Sequence, residues 1–298
     1  MQIVYISNRP RQLYETLCQV VTHMPFVSEA VVCCPVTDAP QLSSLPIKVR
    51  LILEHELLDS SQQHALVQLD HQSRNYFLRR ELIAQDFIAE QFILSDDDAR
   101  PLQDIPLTTF IQNHKHRNYY FYDLAAWRQN QTEFDQGQLS TLAVLQQLKL
   151  PHLAYASHMP QIIWRDLYRE SNQFFDSYSK EFPLCEWATY FNYARHHHAQ
   201  KFTSPEPYVT LCWPEHPLAW RVFCEPNQFL FENYTRHLYQ SGHVFSILIH
   251  TDNNELSAIE KIIVWKKHTL ALQYPEQSKG YKKYLNPRTW ANKFRPLP

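Results

Sequence analysis

Residues 90–98 read EQFILSDDD, and a short apolar run leads directly into three carboxylates, Asp96, Asp97 and Asp98. The apolar run predicts a buried β-strand, since such strands end at clusters of polar turn residues. Neighbouring carboxylates repel one another, so the triplet gives the fold itself no benefit. We therefore expect a positively charged ligand at the end of this strand.

The segments around this strand alternate between strand and helix patterns. Apolar, β-branched or aromatic runs predict further strands at 2–7, 29–36, within 47–58 and at 118–127. Helical spacing of apolar residues predicts helices at 11–24 and 73–85. This alternation predicts an α/β fold with a mostly parallel, doubly wound sheet. Ligands of such sheets bind beyond the carboxyl ends of the strands, where the loop after residue 7 and the aspartate triplet both lie.

Composition narrows the ways in which the chain could bind a nucleotide. The 298 residues include only three glycines, which excludes the glycine-rich phosphate loops of Rossmann and P-loop proteins. Six cysteines without a CxxC pair favour reduced core thiols over disulfides or zinc ligands. The sequence has no long apolar run and no signal-peptide pattern, so we expect a cytoplasmic protein. Side chains and a metal ion would then have to hold any phosphates.

The spacing of the outer two aspartates suits a divalent cation. Asp96 and Asp98 are separated by one residue, so both side chains can face the same way and share Mn²⁺ or Mg²⁺. Such an ion would neutralise a pyrophosphate leaving group. The alternative is an aspartate-rich turn that caps the next segment. Placement at the end of an apolar strand favours the metal site.

The order strand, DxD, loop after α/β repeats resembles the GT-A fold of nucleotide-sugar glycosyltransferases. Residues 152–164 (HLAYASHMPQIIW) and 182–193 (FPLCEWATYFNY) are similar to bacterial polysaccharide glycosyltransferases and, more loosely, to stealth-type capsule transferases. The resemblance implies that Asp96 faces the nucleotide ribose and that Asp98 binds the metal. It also implies a late histidine as a further metal ligand, for which we choose His243. Donor contacts are expected from Asn8, Arg9, Arg74, Arg79, Arg80, Asp96 and Asp97, although each arginine could instead be a solvated surface residue.

A carboxylate downstream of the DxD motif would serve as the general base in inverting enzymes of this fold, and Glu186 has a fitting position. Tyr190 and Tyr193 share a helix face with Glu186 by the i, i+4, i+7 rule. A base beside aromatic rings suits a sugar acceptor, and His158 is a further candidate for acceptor binding. The alternatives are a helix-terminal glutamate with tyrosines in the core, and a buried, hydrogen-bonded histidine.

The C-terminal segment has a different charge from the rest of the chain. Residues 261–298 contain nine lysines and arginines and one glutamate, a net charge of +8, whereas the whole chain has −2. Aromatic residues alternate with these cations, which is typical of binding to an anionic membrane surface. A tail folded back on the acidic domain is the alternative. The segment has no nucleic-acid recognition motif.

Together these features predict a metal-dependent, inverting glycosyltransferase that acts on a nucleoside-diphosphate sugar such as a UDP-hexose. Its acceptor would be a glycan or a lipid-linked saccharide of O-antigen or capsule synthesis, at the inner face of the plasma membrane. We expect a catalytic domain at 1–260, with a nucleotide-sugar half at 1–125 and a helical acceptor half at 126–260, and a basic tail at 261–298. Two alternatives stay open: a sugar-1-phosphate transferase, and a nucleotide- or saccharide-binding protein without turnover.

Overall fold

In the computed structural model, residues 1–42, 44–156, 158–211 and 230–234 are described. Their strands, in chain order, are β1 (Gln2–Ile6), β2 (Glu29–Cys34), β3 (Val49–Leu53), β4 (Gln91–Leu94), β5 (Ala99–Pro101), β6 (Ile111–Gln112), β7 (Lys115–His116), β8 (Tyr119–Tyr120), β9 (Tyr122–Asp123), β10 (Leu153–Ala154), β11 (Gln161–Trp164), β12 (Glu206–Pro207), β13 (Thr210–Leu211) and β14 (Phe231–Asn233). The α-helices are α1 (Pro10–His23), α2 (Glu54–Leu57), α3 (Ser60–Gln68), α4 (His71–Ile83), α5 (Glu133–Gln147), α6 (Arg165–Phe174), α7 (Asp176–Ser179) and α8 (Glu186–His197).

The central sheet has the strand order β11-β4-β1-β2-β3. Strand β1 pairs in parallel with both β2 and β4, and β2 pairs in parallel with β3. Only β11, at one edge, runs antiparallel to its neighbour. The predicted mostly parallel α/β fold is therefore confirmed, and helices α5 to α8 follow as the predicted helical extension.

The strand order determines where a ligand-binding crevice lies in this sheet. From β1 the chain moves through β2 to β3 on one side, and then returns to β4 on the other side of β1. The crevice beyond the carboxyl ends of β1 and β4 is thus the topological switch point, where ligands of open α/β sheets bind. Residues 7–9 leave β1 at this crevice and residues 95–98 leave β4 there.

Helix α1 supports the crevice from one side. It begins at Pro10, whose fixed φ and missing N–H suit the first helical position. Leu13, Leu17 and Val20 recur at helical spacing and are fully buried in the core. Because the helix starts directly after Arg9, this packing also fixes where the Arg9 side chain begins.

One of the predicted strands does not belong to the central sheet. The aromatic run 118–127 does not enter the central sheet; it forms the two-residue strands β8 and β9, which pair in small separate sheets with β12 and β10. The fifth strand of the central sheet is instead β11, with Ile162 and Ile163 fully buried. High β-propensity shows that a segment fits a pleated surface, but it does not select the sheet that the segment joins.

None of the helices that the structure describes combines the length and apolar character needed to cross a bilayer.

Candidate functional site

The three aspartates after β4 consist of a middle residue, Asp97, and two outer residues, Asp96 and Asp98, which flank it in sequence. Asp97 is buried and accepts hydrogen bonds from Ser7 Oγ at 2.6 Å and from Arg9 Nε at 3.1 Å. Thr16 on α1 donates to the Asp97 carbonyl at 2.7 Å. Burial raises the pKa of Asp97, although Arg9 opposes the shift. Asp97 therefore anchors the loop to β1 and α1. Asp98 is also buried, and Arg9 contacts it at 3.1 Å in addition to Asp97, whereas Asp96 pairs with Arg79.

Asp96, Asp98 and His158 form a group that could hold a metal ion. One ligand atom from each of the three lies within 4.8 Å of the others. His158 Nδ1 is 3.4 Å from Asp98 Oδ1 and 3.9 Å from Asp96 Oδ2. Burial alone would raise the pKa of Asp98, but His158 and Arg9 lower it to about 2. Two hard carboxylate oxygens and one imidazole nitrogen fit Mn²⁺ and, less closely, Mg²⁺.

The backbone at His158 is unusual for a residue with a side chain. Its φ is 47°, in the left-handed region that favours glycine. A non-glycine residue in this region costs roughly 1–2 kcal/mol. Such a conformation persists where the surrounding structure holds it, and it is often found at functional sites. Here it brings the imidazole to the two outer aspartates.

A second layer of charge lies behind Asp96. The buried guanidinium of Arg79, on α4, forms ion pairs with both Asp96 and Glu186, and it lies 5.2 Å from the centre of the Trp187 ring. Glu186 is the first residue of α8, and its second oxygen accepts a hydrogen bond from Gln72 Nε2 at 3.2 Å. Burial raises the pKa of Glu186 more than Arg79 lowers it. Both carboxylate oxygens of Glu186 thus have partners inside the protein.

These groups line a cleft of about 420 Å³ at the switch point. Its lining has an excess of carboxylates over guanidinium groups, namely Glu54, Asp96, Asp97, Asp98, Glu133 and Glu186 against Arg9, Arg74 and Arg79. With neutral histidines the net charge is −3. Each of these arginines is already paired, Arg74 with Glu54 at 2.6 Å. A diphosphate would be repelled from this cleft unless a cation entered with it.

The structure brings most of the predicted donor-binding residues together and separates others from them. Asn8, Arg9, Arg74, Arg79 and the aspartate triplet all line the cleft. Arg80 lies outside the described lining and pairs with Glu81 and Asp176. His243 and the tail residues 261–298 lie outside the described residues.

The predicted acceptor-binding tyrosines lie in the core. Tyr190 is fully buried, and its hydroxyl accepts the Trp164 backbone N–H at 3.0 Å. Tyr193 is also buried, and its hydroxyl donates to Glu170 at 2.7 Å. Neither belongs to the described lining of the cleft. This packing favours the core alternative that the sequence left open for both rings.

Sequence reasoning missed several residues of the site, including Ser7, Thr16, Glu54, Trp187 and the three that follow. Gln72 lies seven residues before Arg79, two helical turns away on the same face of α4, so helical spacing could have indicated it. Asn233, whose Nδ2 lies 3.3 Å from His158 Nδ1, is on β14. Tyr234 follows β14 and donates its backbone N–H to the Asp98 carbonyl at 2.6 Å. Nothing in local spacing signals these last two contacts.

Known proteins resemble the chain in fold only. Solved structures that match include the galactosyltransferase LgtC in complex with donor and acceptor sugar analogues, with a TM-score of 0.46 and 12% identity over 90% of this chain and 96% of that one. Mouse xyloside xylosyltransferase 1, in its apo form, matches with a TM-score of 0.40 and 9% identity over 79% of this chain and 97% of that one. No protein-family model matches the chain, and no curated protein matches it. Function is therefore inferred from the geometry of the cleft.

Proposed function

We propose that the protein is a metal-dependent glycosyltransferase that takes a sugar from a nucleoside-diphosphate donor bound in the cleft between β1 and β4. The observation that carries the proposal is the Asp96–Asp98–His158 group in a cleft of net negative charge. This charge disfavours a bare diphosphate and favours one that binds together with a cation. The resemblance of the strand–DxD–loop pattern to nucleotide-sugar enzymes supports a sugar as the transferred group.

The chain's own residues have separable tasks in this proposal. Asp96, Asp98 and His158 would hold Mn²⁺ or Mg²⁺, which when bound supplies positive charge to the leaving nucleoside diphosphate. Arg9 and Ser7 fix the loop through Asp97, so the outer carboxylates keep one orientation. Asn8 has an exposed side chain at the end of β1 and lines the cleft, where its amide can contact the nucleotide.

The base of an inverting reaction stays a prediction. Glu186 lines the cleft, but Arg79 and Gln72 occupy its two oxygens. A general base must lie within about 3 Å of the acceptor hydroxyl. Each oxygen of Glu186 keeps a second lone pair beside its present partner, but the side chain is only 3% exposed. Inverting transfer through Glu186 therefore requires that the groups around it move when substrates bind.

The first experiment is a screen of nucleotide sugars by thermal unfolding, with and without Mn²⁺. A donor that binds only the folded state raises the unfolding temperature, and at a hundredfold excess over Kd it adds about 2.7 kcal/mol of stability. We expect protection by a nucleoside-diphosphate sugar in the presence of Mn²⁺ only. Asp98→Asn is the matched control, since it keeps the size of the side chain and removes one charged ligand. Protection that is equal without the metal, or equal in Asp98→Asn, would contradict the proposal.

The two alternatives are separated by following the donor after binding. Mn²⁺-dependent donor hydrolysis or transfer distinguishes an enzyme from a protein that only binds nucleotides or saccharides. The ³¹P spectrum of the product distinguishes transfer of a sugar from transfer of a sugar 1-phosphate. A role in polysaccharide synthesis is proposed on the resemblance of residues 152–164 and 182–193, and a location at the inner membrane face on the basic, aromatic pattern of residues 261–298.

A further inference from the structure

A continuous chain of contacts runs from the packed interior to the proposed cation site. Gln72 donates to Glu186, Glu186 pairs with Arg79, and Arg79 pairs with Asp96. The side chains of Glu186 and Arg79 are only 3% and 6% exposed, so water does not screen their charges. Trp187, the neighbour of Glu186, covers the guanidinium with its ring. This series of contacts ends at Asp96, one of the carboxylates that would hold the cation in the proposed function.

The described lining of the cleft holds two further ion-paired arginines. Arg9 also contacts a predicted cation ligand, Asp98, and Asp97 compensates its charge. Arg74 provides the comparison. Arg74 and Glu54 pair at 2.6 Å and are partly exposed, and neither of them has a described contact with the aspartate triplet. Arg79, by contrast, touches a predicted cation ligand directly. A positive charge one carboxylate away from a bound divalent cation opposes its binding, unless a negative partner neutralises that charge. Glu186 is this partner.

We propose that Glu186 and Arg79 act together as a charge-compensating pair that sets the affinity of the cation site. Arg79 holds one oxygen of Asp96 and leaves the other directed toward His158, while Glu186 cancels the guanidinium charge. Glu186 is in this view a positioning residue that acts through Arg79. The inference rests on the proposed function, because it assumes that Asp96 is a cation ligand.

The two possible roles of Glu186 predict different effects on metal binding. A general base contributes to transfer and leaves the cation affinity of the free protein unchanged. A compensating partner contributes to cation affinity before any sugar or nucleotide is present. Loss of Glu186 alone leaves Arg79 with its full charge and with Asp96 as its remaining charged partner among the described contacts, so Arg79 competes with the cation. Loss of both residues removes the positive charge that competes with the cation and also the negative charge that neutralises it.

The test measures Mn²⁺ affinity without nucleotide, from the electron paramagnetic resonance signal of free Mn²⁺. We expect Glu186→Gln to bind Mn²⁺ about 10–100-fold more weakly, the usual effect of losing an outer partner of a metal ligand. The double variant Glu186→Gln/Arg79→Met should recover an affinity within a few-fold of the parent. Exchange of a buried ion pair for neutral side chains is commonly tolerated, so the double variant also guards against a variant that fails to fold. Glu54→Gln, which leaves Arg74 unpaired in the same cleft, should change Mn²⁺ affinity far less than Glu186→Gln does.

The outcomes separate this inference from the proposed function. A folded Glu186→Gln variant that binds Mn²⁺ as the parent does would overturn the inference and favour the base prediction. Weak binding by both the single and the double variant would also overturn it, because the loss would then not come from the charge of Arg79. If the parent itself bound no Mn²⁺, the proposed function would fail first. Weak binding by Glu186→Gln and rescue by the double variant would establish the pair.

Discussion

Two substitutions of His158 separate metal binding from backbone strain. Both remove the imidazole, but only one of them removes the steric cost of the backbone conformation. His158→Ala and His158→Gly both remove the imidazole that lies 3.4 Å from Asp98. Removal of a mere outer partner of a metal ligand already costs 10–100-fold in affinity, or about 1.4–2.8 kcal/mol. We therefore expect both variants to lose at least that much Mn²⁺ affinity, and to lose it equally.

The same two variants should differ in stability. His158 has a φ of 47°, and alanine keeps the steric cost of roughly 1–2 kcal/mol that glycine lacks. Glycine, however, loses more conformational entropy on folding than alanine does, which lowers the stability of the Gly variant by about 0.5–1 kcal/mol. The Gly variant should thus be more stable than the Ala variant by up to about 1.5 kcal/mol, measured by urea unfolding without metal. Parent-like Mn²⁺ affinity in either variant would show that His158 is not a ligand. An Ala variant that is more stable than the Gly variant by about 0.5–1 kcal/mol, the entropy cost of glycine alone, would show that the backbone is not strained.

Three further predictions follow from the same site and from the tail. Asp98→Asn should abolish metal-dependent donor binding and lower the free energy of unfolding at neutral pH by about 1–3 kcal/mol, because Arg9 and His158 lose the charged partner whose pKa they lower. Asp97→Asn should keep metal-dependent donor binding, because Asp97 is not among the residues that would hold the metal. Urea unfolding and the donor screen check both variants, and the reverse pattern of donor binding would exchange the roles of the two aspartates. The nucleotide donor should no longer raise the unfolding temperature of the parent protein after EDTA removes the metal, and added Mn²⁺ should restore this effect. A rise in unfolding temperature that persists in EDTA would contradict the prediction. Truncation from Lys279 should weaken binding to anionic vesicles at low salt while turnover on a soluble acceptor persists, so equal vesicle binding by both forms would refute a membrane role for the tail.

The position of the cleft could be predicted from sequence because it depends on local signals. The apolar run FIL ends at the aspartate triplet, and the run QIVYI ends at Ser7, so both strand ends were visible along the chain. Parallel pairing then brings the two ends to the same edge of the sheet. No long-range information was needed beyond the alternation of strands and helices.

The partners of individual side chains could not be predicted in this way. Helical spacing gave Glu186, Tyr190 and Tyr193 one shared face, but it did not say what that face meets. In the structure Glu186 lines the cleft, whereas the two tyrosines lie in the core, where Tyr168 packs against Tyr190 at 5.5 Å between ring centres. Strand β11 was missed because four residues after a proline give a weaker signal than the aromatic run at 118–127.

The hydrogen bond from Tyr234 to Asp98 makes the site dependent on the order of synthesis. The central sheet needs residues only up to Trp164, so a growing chain can complete it well before residue 234 is made. Until then, β5 lacks β14 as its neighbour, and His158 lacks the amide of Asn233. Contacts between segments this distant in sequence form late, because they close a long loop. A chain that stops before residue 230 would thus fold its sheet and leave the aspartate loop without its last described backbone contact.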